Sequence, residues 1–260
     1  MVAAIAPFRL RSKLVGHARW VEGRTVTPLR YAEHRLRLPQ GDGLTKMALL
    51  LVVGASRGIG NETVQRALAD GHRVRALARS AGGSLLERPG LEKIAGDARD
   101  PATVARAVSG VEAVIETLGE SPSLQAVVSG TTLFSRATRI LIDAMRAKSV
   151  RRLVAVTGLG AGDSRGRAGL LYDALVFPLL LKRIYDDKDI QEQMIRASGL
   201  DWTIVRPGLL TNGPATGKAR ALLAPEDWRA GSVSRADVAD FLVREAFERR
   251  FPGKTPLLIA

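Results

Sequence analysis

The chain has 260 residues, with 39 Lys and Arg against 26 Asp and Glu and a formal net charge of +13. Its 46% hydrophobic content excludes a mostly disordered polymer. The lack of Cys excludes a disulfide scaffold, a thiolate metal site and a cysteine nucleophile, and three His scattered at His17, His34 and His72 do not suggest a metal cluster.

A basic chain invites a nucleic-acid reading, but the charge is unevenly spread. Residues 1–46 carry nine Lys and Arg against three acids, a net +6, which leaves +7 for the remaining 214 residues. That first stretch shows no sustained apolar period, ends in the turn-prone Pro39-Gln40-Gly41-Asp42-Gly43, and interleaves few aromatics, Trp20 and Tyr31 after Phe8 near its start. It is expected to be a poorly ordered basic leader. Three readings stay open for it: a segment outside the working protein, with Met47 as the start; a targeting peptide; or a basic arm. No nucleic-acid partner is expected.

From Met47 the chain alternates strands and helices. Apolar runs suited to strands buried on both faces lie at Ala48–Val53, Arg73–Ala78, Val111–Leu118, Arg152–Thr157, Trp202–Arg206 and Pro256–Ile259, with a weaker strand at Leu91–Ala95. Helical periods lie at Ile59–Ala69, Pro101–Ser109, Val128–Lys148, within Ala168–Ala197 and at Arg235–Arg249. Gly71 and Gly199 are stop signals, and Ser234 with Asp237 gives an N-cap signal. The alternation predicts an α/β fold with a mostly parallel sheet and helices on both faces. The most apolar stretch, Leu170–Leu181, is interrupted by Asp173 and Pro178 and is too short to span a bilayer; it reads as a core-facing or site-covering helix.

The strongest chemical signal is Gly54-Ala55-Ser56-Arg57-Gly58-Ile59-Gly60, between a predicted strand and a predicted helix. Gly54 permits the sharp turn, Gly58 lets a diphosphate approach the backbone, and Gly60 lets the helix pack on the strand, whose first N–H groups then face the anion. Gly54, Ser56, Arg57, Gly58, Ile59 and Gly60 are therefore candidate cofactor-binding residues. At the end of the second strand an acid would accept the ribose hydroxyls of NAD(H); here stand Arg79 and Ser80, with Arg57 nearby in the glycine loop. Guanidinium groups suit a 2′-phosphate, so NADP(H) is expected over NAD(H). Asp97, followed by Ala98, ends the third strand, as an acceptor for an adenine amino group or as an Asx-turn. Leu118 and Gly119 end the fourth, where Gly119 lets backbone approach the cofactor.

These residues resemble the short-chain dehydrogenase/reductase superfamily, most closely its atypical NAD(P)H-binding branch that includes biliverdin-IXβ reductase/flavin reductase-like proteins. The resemblance spans about residues 48–259 and rests most on Ser198–Gly208, Asn212–Gly217 and Arg235–Ala239, beside the glycine loop. It implies a Rossmann-type doubly wound sheet over residues 47–260 with a small C-terminal substrate part. It also implies that Thr157, Gly158, Pro207, Gly208 and Leu209 border the nicotinamide and that Lys188 reaches its ribose. The tyrosine-dependent enzymes of the superfamily carry a YxxxK pair. None exists here, since Tyr172 is followed four residues on by Val176 and Tyr185 by Asp189. Gly158 stands where a Ser is expected in biliverdin-IXβ reductase-like members. Tyr185 and Lys188 lie one helical turn apart and can share a face.

The resemblance thus implies an NADPH-dependent oxidoreductase passing a hydride to a flat acceptor such as a quinone, flavin or tetrapyrrole, which takes its proton from solvent and needs no dedicated acid. Thr157, Tyr185 and Lys188 are the catalytic candidates. The alternative is a non-catalytic NADP(H)-binding redox sensor or assembly factor. A cytoplasmic chain without a transmembrane segment, compatible with a monomer and taking a small-molecule acceptor, completes the expectation.

Overall fold

The structure, a computed structural model, describes residues 47–80, 87–120, 130–164 and 182–260. The leader at 1–46 and the apolar stretch Leu170–Leu181 lie outside the described residues, as do parts of the predicted helices at Val128–Lys148 and Ala168–Ala197.

In chain order the elements are β1 (Leu49–Val53), α1 (Gly58–Ala69), β2 (Arg73–Ala78), β3 (Leu91–Ala95), α2 (Pro101–Val108), β4 (Ala113–Glu116), α3 (Leu133–Ala147), β5 (Arg152–Val156), α4 (Lys182–Arg196), β6 (Asp201–Pro207), β7 (Leu209–Thr211), β8 (Arg220–Leu222), β9 (Ser232–Ser234), α5 (Arg235–Glu248) and β10 (Leu257–Ile259). A short 3₁₀ turn, Gly162–Ser164, follows β5. One eight-stranded sheet has the order β3-β2-β1-β4-β5-β6-β10-β8, parallel throughout except for β8 against β10. The chain runs outward from β1 to β3 and then returns to β4 on the other side of β1. Strand order therefore reverses between β1 and β4, the place where such sheets open a crevice for ligands.

The apolar runs serve both faces because side chains alternate along a strand. Leu50 and Val52 of β1 pack with α1 and α5, through Val64, Ala67, Val238 and Phe241. Leu51 and Val53 pack on the opposite side with α2 and α3, through Val104, Ala107, Leu141 and Met145. The doubly wound α/β expectation is met.

Two caps fix loops at the carboxyl end of the sheet. Asp100 accepts from the N–H groups of Ala102 and Thr103 and starts α2 ahead of Pro101. Ser234 Oγ accepts from Asp237 N–H at 3.0 Å, as its spacing predicts. The Asp237 carboxylate also accepts from the N–H groups of Thr216 and Gly217, each at 2.8 Å, tying the preceding loop to α5. Strands β7, β8 and β9 were not expected. Each has three residues, too few to show an alternating period. Among the described residues, no helix is long and apolar enough to cross a membrane.

Candidate active site

A cleft of about 910 Å³ lies across the carboxyl ends of the strands, at the reversal between β1 and β4. Its floor begins at Gly54, which takes φ +88° and donates its N–H to Leu77 O at 2.9 Å. A Cβ at Gly54 would lie 2.9 Å from Thr117 O, so both conformation and space require glycine there. Gly60 does not line the cleft: a Cβ on it would strike Gly54 O, so its part is to let α1 start against β1. Ser56, Arg57, Gly58 and Ile59 line the opening. Unlike α2, α1 has no side-chain cap, and its first turn carries no acid. Its leading N–H groups and the positive end of its dipole thus suit an anion at the glycine loop.

Beyond the loop, Arg79 and Ser80 line the cleft past the end of β2. Arg57 and Arg79 also border an adjoining recess of about 250 Å³, together with Arg99 and Glu120. Sequence reasoning missed Arg99, which reads as one more surface cation in an Arg-rich chain. Its guanidinium grips Asp97, with Nη2 at 2.7 Å from Oδ2, while its N–H donates to Oδ1 at 2.8 Å. Asp97 therefore forms the Asx-turn weighed for it and also lines the cleft beside Ala98. The Arg99 hydrogen bonds hold its carboxyl at about 2.

Leu118 and Gly119 lie midway along the wall. The far end gathers Thr157, Tyr185, Lys188 and Pro207, so the three catalytic candidates do converge. Thr157 Oγ1 donates to Glu192 Oε1 at 2.8 Å, which commits its proton inward and leaves it an acceptor toward the cleft. Lys188 is buried, and its Nζ sits 4.1 Å over the Phe134 ring. Burial pulls its pKa down to about 8 against the opposing pull of Glu116, Glu192 and Asp187. Tyr185 accounts for the unusual glycine: its hydroxyl lies 2.8 Å from where a Gly158 Cβ would be, so the two residues are complementary.

Besides Gly60, three residues expected at the nicotinamide, Gly158, Gly208 and Leu209, fall outside the cleft lining. Gly208 packs against Gly231 O, and Leu209 is 73% exposed on β7. Leu210 lines the cleft instead, because successive side chains of the short strand β7 point to opposite sides. Other residues escaped the sequence reading. Asn212 and Arg235 line the cleft and are joined by a 2.8 Å hydrogen bond from Arg235 Nη1 to Asn212 Oδ1. Glu116 and Glu192 lie behind the wall. The available signal for Glu116 was an acid inside the apolar run Val114-Ile115-Glu116, and for Glu192 there was none. Among the described residues, no group of His, Asp or Glu is arranged to hold a metal ion.

An uncapped helix start above a glycine turn, three arginines at one end and apolar and polar walls at the other fit a dinucleotide. Comparison with known proteins agrees. ChuY, an anaerobilin reductase from Escherichia coli O157:H7, is 30% identical with a TM-score of 0.67, covering 81% of this chain and 96% of that one. An uncharacterised chloroplast protein of Arabidopsis thaliana is 29% identical over 228 residues, 85% of this chain and 80% of that protein. The NAD(P)H azoreductase of Xenophilus azovorans is 29% identical over 161 residues, 62% of this chain and 48% of the azoreductase. The profile of the family described as NAD(P)H-binding matches residues 54–249, and the chain belongs to that family.

Proposed function

We propose that the protein is an NADPH-dependent reductase acting on a flat conjugated acceptor such as a quinone, flavin or tetrapyrrole. The observation that carries this reading is the polarity of the cleft: Arg57, Arg79 and Arg99 gather at one end, and Thr157, Tyr185 and Lys188 at the other. When bound, NADPH supplies the hydride. The chain's own part is to hold and orient. Arg57 and Arg79 offer bidentate, charge-assisted hydrogen bonds to a 2′-phosphate, and no acid stands at position 79 to favour an unmodified ribose. Leu118, Phe134 and Leu210 give the cleft apolar surface that excludes water around a planar ring. The inward-committed Thr157 proton is consistent with an acceptor that takes its proton from solvent. That ChuY and the azoreductase are both named as reductases supports the class of reaction.

Fluorescence titration with NADPH and NADH, followed by NADPH oxidation against a panel of quinones, flavins and tetrapyrroles, tests the reading. NADPH is expected to bind more tightly, and at least one acceptor to be reduced. Equal affinities would remove the 2′-phosphate assignment. The Thr157 geometry also suits a non-catalytic NADP(H) sensor, and tight binding with no turnover across the panel would decide for it.

A further inference from the structure

Behind the wall that carries Lys188 lies a layer that the proposed reaction does not use. Glu116 closes β4 next to Thr117, whose carbonyl backs Gly54, and its side chain is fully buried. A carboxyl at the end of a central parallel strand is unfavourable unless partnered. Glu116 Oε1 accepts from Thr138 Oγ1 of α3 at 2.7 Å. Among the described residues, Oε2 meets no donor, and the Gln191 amide lies beside it with neither of its own polar atoms in hydrogen-bond geometry. Gln191 is fully buried too, three residues after Lys188 on α4, so both face inward from one side of that helix. Three elements thus bring a carboxyl, a hydroxyl, an amide and an amine into one buried layer against the cleft. Polar groups this deeply buried are ordinarily fully paired. A cluster that is not, directly behind a ligand cleft, is better suited to setting a charge than to holding the fold.

We propose that Glu116 is a positioning residue for Lys188: held behind the wall by Thr138, its carboxylate decides whether Lys188 presents an ammonium or a neutral amine to the occupant of the cleft. Only the consequence for a bound dinucleotide rests on the reductase reading. Burial pushes Glu116 up to about 7, opposed by Thr138, Gln191 and Lys188, while Lys188 is lowered to about 8. Glu116 therefore ionises as pH rises past about 7, and Lys188 gives up its proton as pH rises past about 8, so the mutually charged pair spans a narrow interval between them. The other groups around Lys188 are accounted for. From α4 come Tyr185, Asp187 and Glu192; Asp187 accepts from the N–H groups of Phe134 and Ser135 at the start of α3. From β6 comes Arg206, bound to Glu192, and from the 3₁₀ turn Asp163, bound to Arg206. α3 adds the Phe134 ring and the Thr138 hydroxyl. Removing the Glu116 charge removes the largest electrostatic support for the ammonium and lowers the Lys188 pKa further.

The test is a pH titration of full-length protein carrying ¹³Cε-labelled lysine, with the Lys188 resonance assigned by its loss in Lys188→Met. The wild-type midpoint is expected well below that of an ordinary lysine, and Glu116→Gln is expected to lower it by about one pH unit or more, a tenfold loss of proton affinity. The pH at which NADPH affinity weakens is expected to move down with it. A Lys188 that titrates like a solvated lysine, or a midpoint unmoved by Glu116→Gln, would overturn the proposal. Should Glu116→Gln fail to fold, Lys188→Met provides the reciprocal reading. The ¹³Cδ resonance of Glu116 must then titrate higher than in the wild type, and an unchanged value also overturns it. No acceptor is needed for these titrations. A coupled pair in a protein that reduces nothing would leave this inference standing and remove the reductase reading; an ordinary Lys188 in an active reductase would do the reverse.

Discussion

Arg152 and Arg206 sit at opposite ends of the same strand pair, and both are almost completely buried. Arg152 opens β5 at the amino end of the sheet. Its Nη2 donates to Glu245 Oε1 at 2.8 Å and to Thr203 Oγ1 at 3.0 Å. Glu245 in turn accepts from the N–H groups of Arg250 and Phe251, each at 3.0 Å, so one carboxylate fastens β5, β6, α5 and the turn leading to β10. Arg206 lies near the carboxyl end of β6. It is bound through Nε to Glu192 Oε1 at 2.9 Å and through Nη1 to Asp163 at 2.6 Å, with the Trp228 ring 5.3 Å away. There the shared carboxylate also accepts from Thr157, a cleft residue. The same chemistry thus closes the base of the fold at one end and positions the ligand wall at the other. A buried ion pair does not declare its role through its energy; its role follows from what else its carboxylate holds.

The most severe way to break the comparison is at the base. Arg152→Met leaves Glu245 buried without its cation and is expected to cost about 3–5 kcal/mol of unfolding free energy. Urea denaturation would show the loss as a lower midpoint, while NADPH affinity of the remaining folded protein is expected to be unchanged. An equal fall in affinity would show that the two ends are coupled. Glu192→Gln should cost less stability, about 1–3 kcal/mol, because Arg206 keeps Asp163 and the amide keeps one acceptor. It should also disturb the cleft by loosening Thr157. A variant that loses stability with ligand affinity intact would reduce the Arg206 cluster to a second copy of the Arg152 one.

Much of this architecture was legible because it is local. Runs such as Leu50-Leu51-Val52-Val53 must be covered on both faces, and that alone implies helices on either side of a parallel sheet. The glycine loop was legible because its strand and helix adjoin it in sequence. The ion pairs were not, because a charge in an apolar run reads as an interruption and its partner is distant: Glu192 is 14 residues from Arg206, and Glu245 is 93 from Arg152. Arg99 was missed for a related reason. Only folding brings it beside Arg57 and Arg79, and its neighbour Asp97 drew attention as an acceptor rather than as its counter-ion. The placement of Gly208 and Leu209 came from resemblance, and the unforeseen β7 turned Leu210 inward instead.

At the arginine end of the cleft, smaller effects separate charge from fold. Arg79→Ala removes an exposed guanidinium and should leave stability within about 0.5 kcal/mol. Losing charge-assisted bonds to a 2′-phosphate, worth about 1.5–3 kcal/mol, should weaken NADPH binding by about tenfold or more and leave NADH nearly unaffected. Parallel titrations with both nucleotides check this, and a matched loss for the two would mean that Arg79 contacts something common to them. Arg99→Ala should act in the same direction but less strongly, because that guanidinium is already shared with Asp97.

The finest distinction lies where Tyr185 meets Gly158. Gly158→Ala places a methyl group 2.8 Å from the Tyr185 hydroxyl, but the obstacle is the tip of a side chain on α4 rather than backbone. Moving that tip is cheap, but Gly158 holds φ +157°, a backbone conformation that side chains rarely adopt, so the expected cost is about 1–3 kcal/mol, readable as a fall in thermal midpoint. The larger consequence concerns reactivity, since the displaced hydroxyl belongs to one of the three residues that converge at the far end of the cleft. If Tyr185 contacts the acceptor, Gly158→Ala should lower kcat several-fold with NADPH affinity held, and Gly158→Ala combined with Tyr185→Phe should lower it no further than Tyr185→Phe alone. Additive losses would separate the two residues and return Tyr185 to a packing role, leaving Lys188, with Glu116 behind it, as the ionisable group that defines that end.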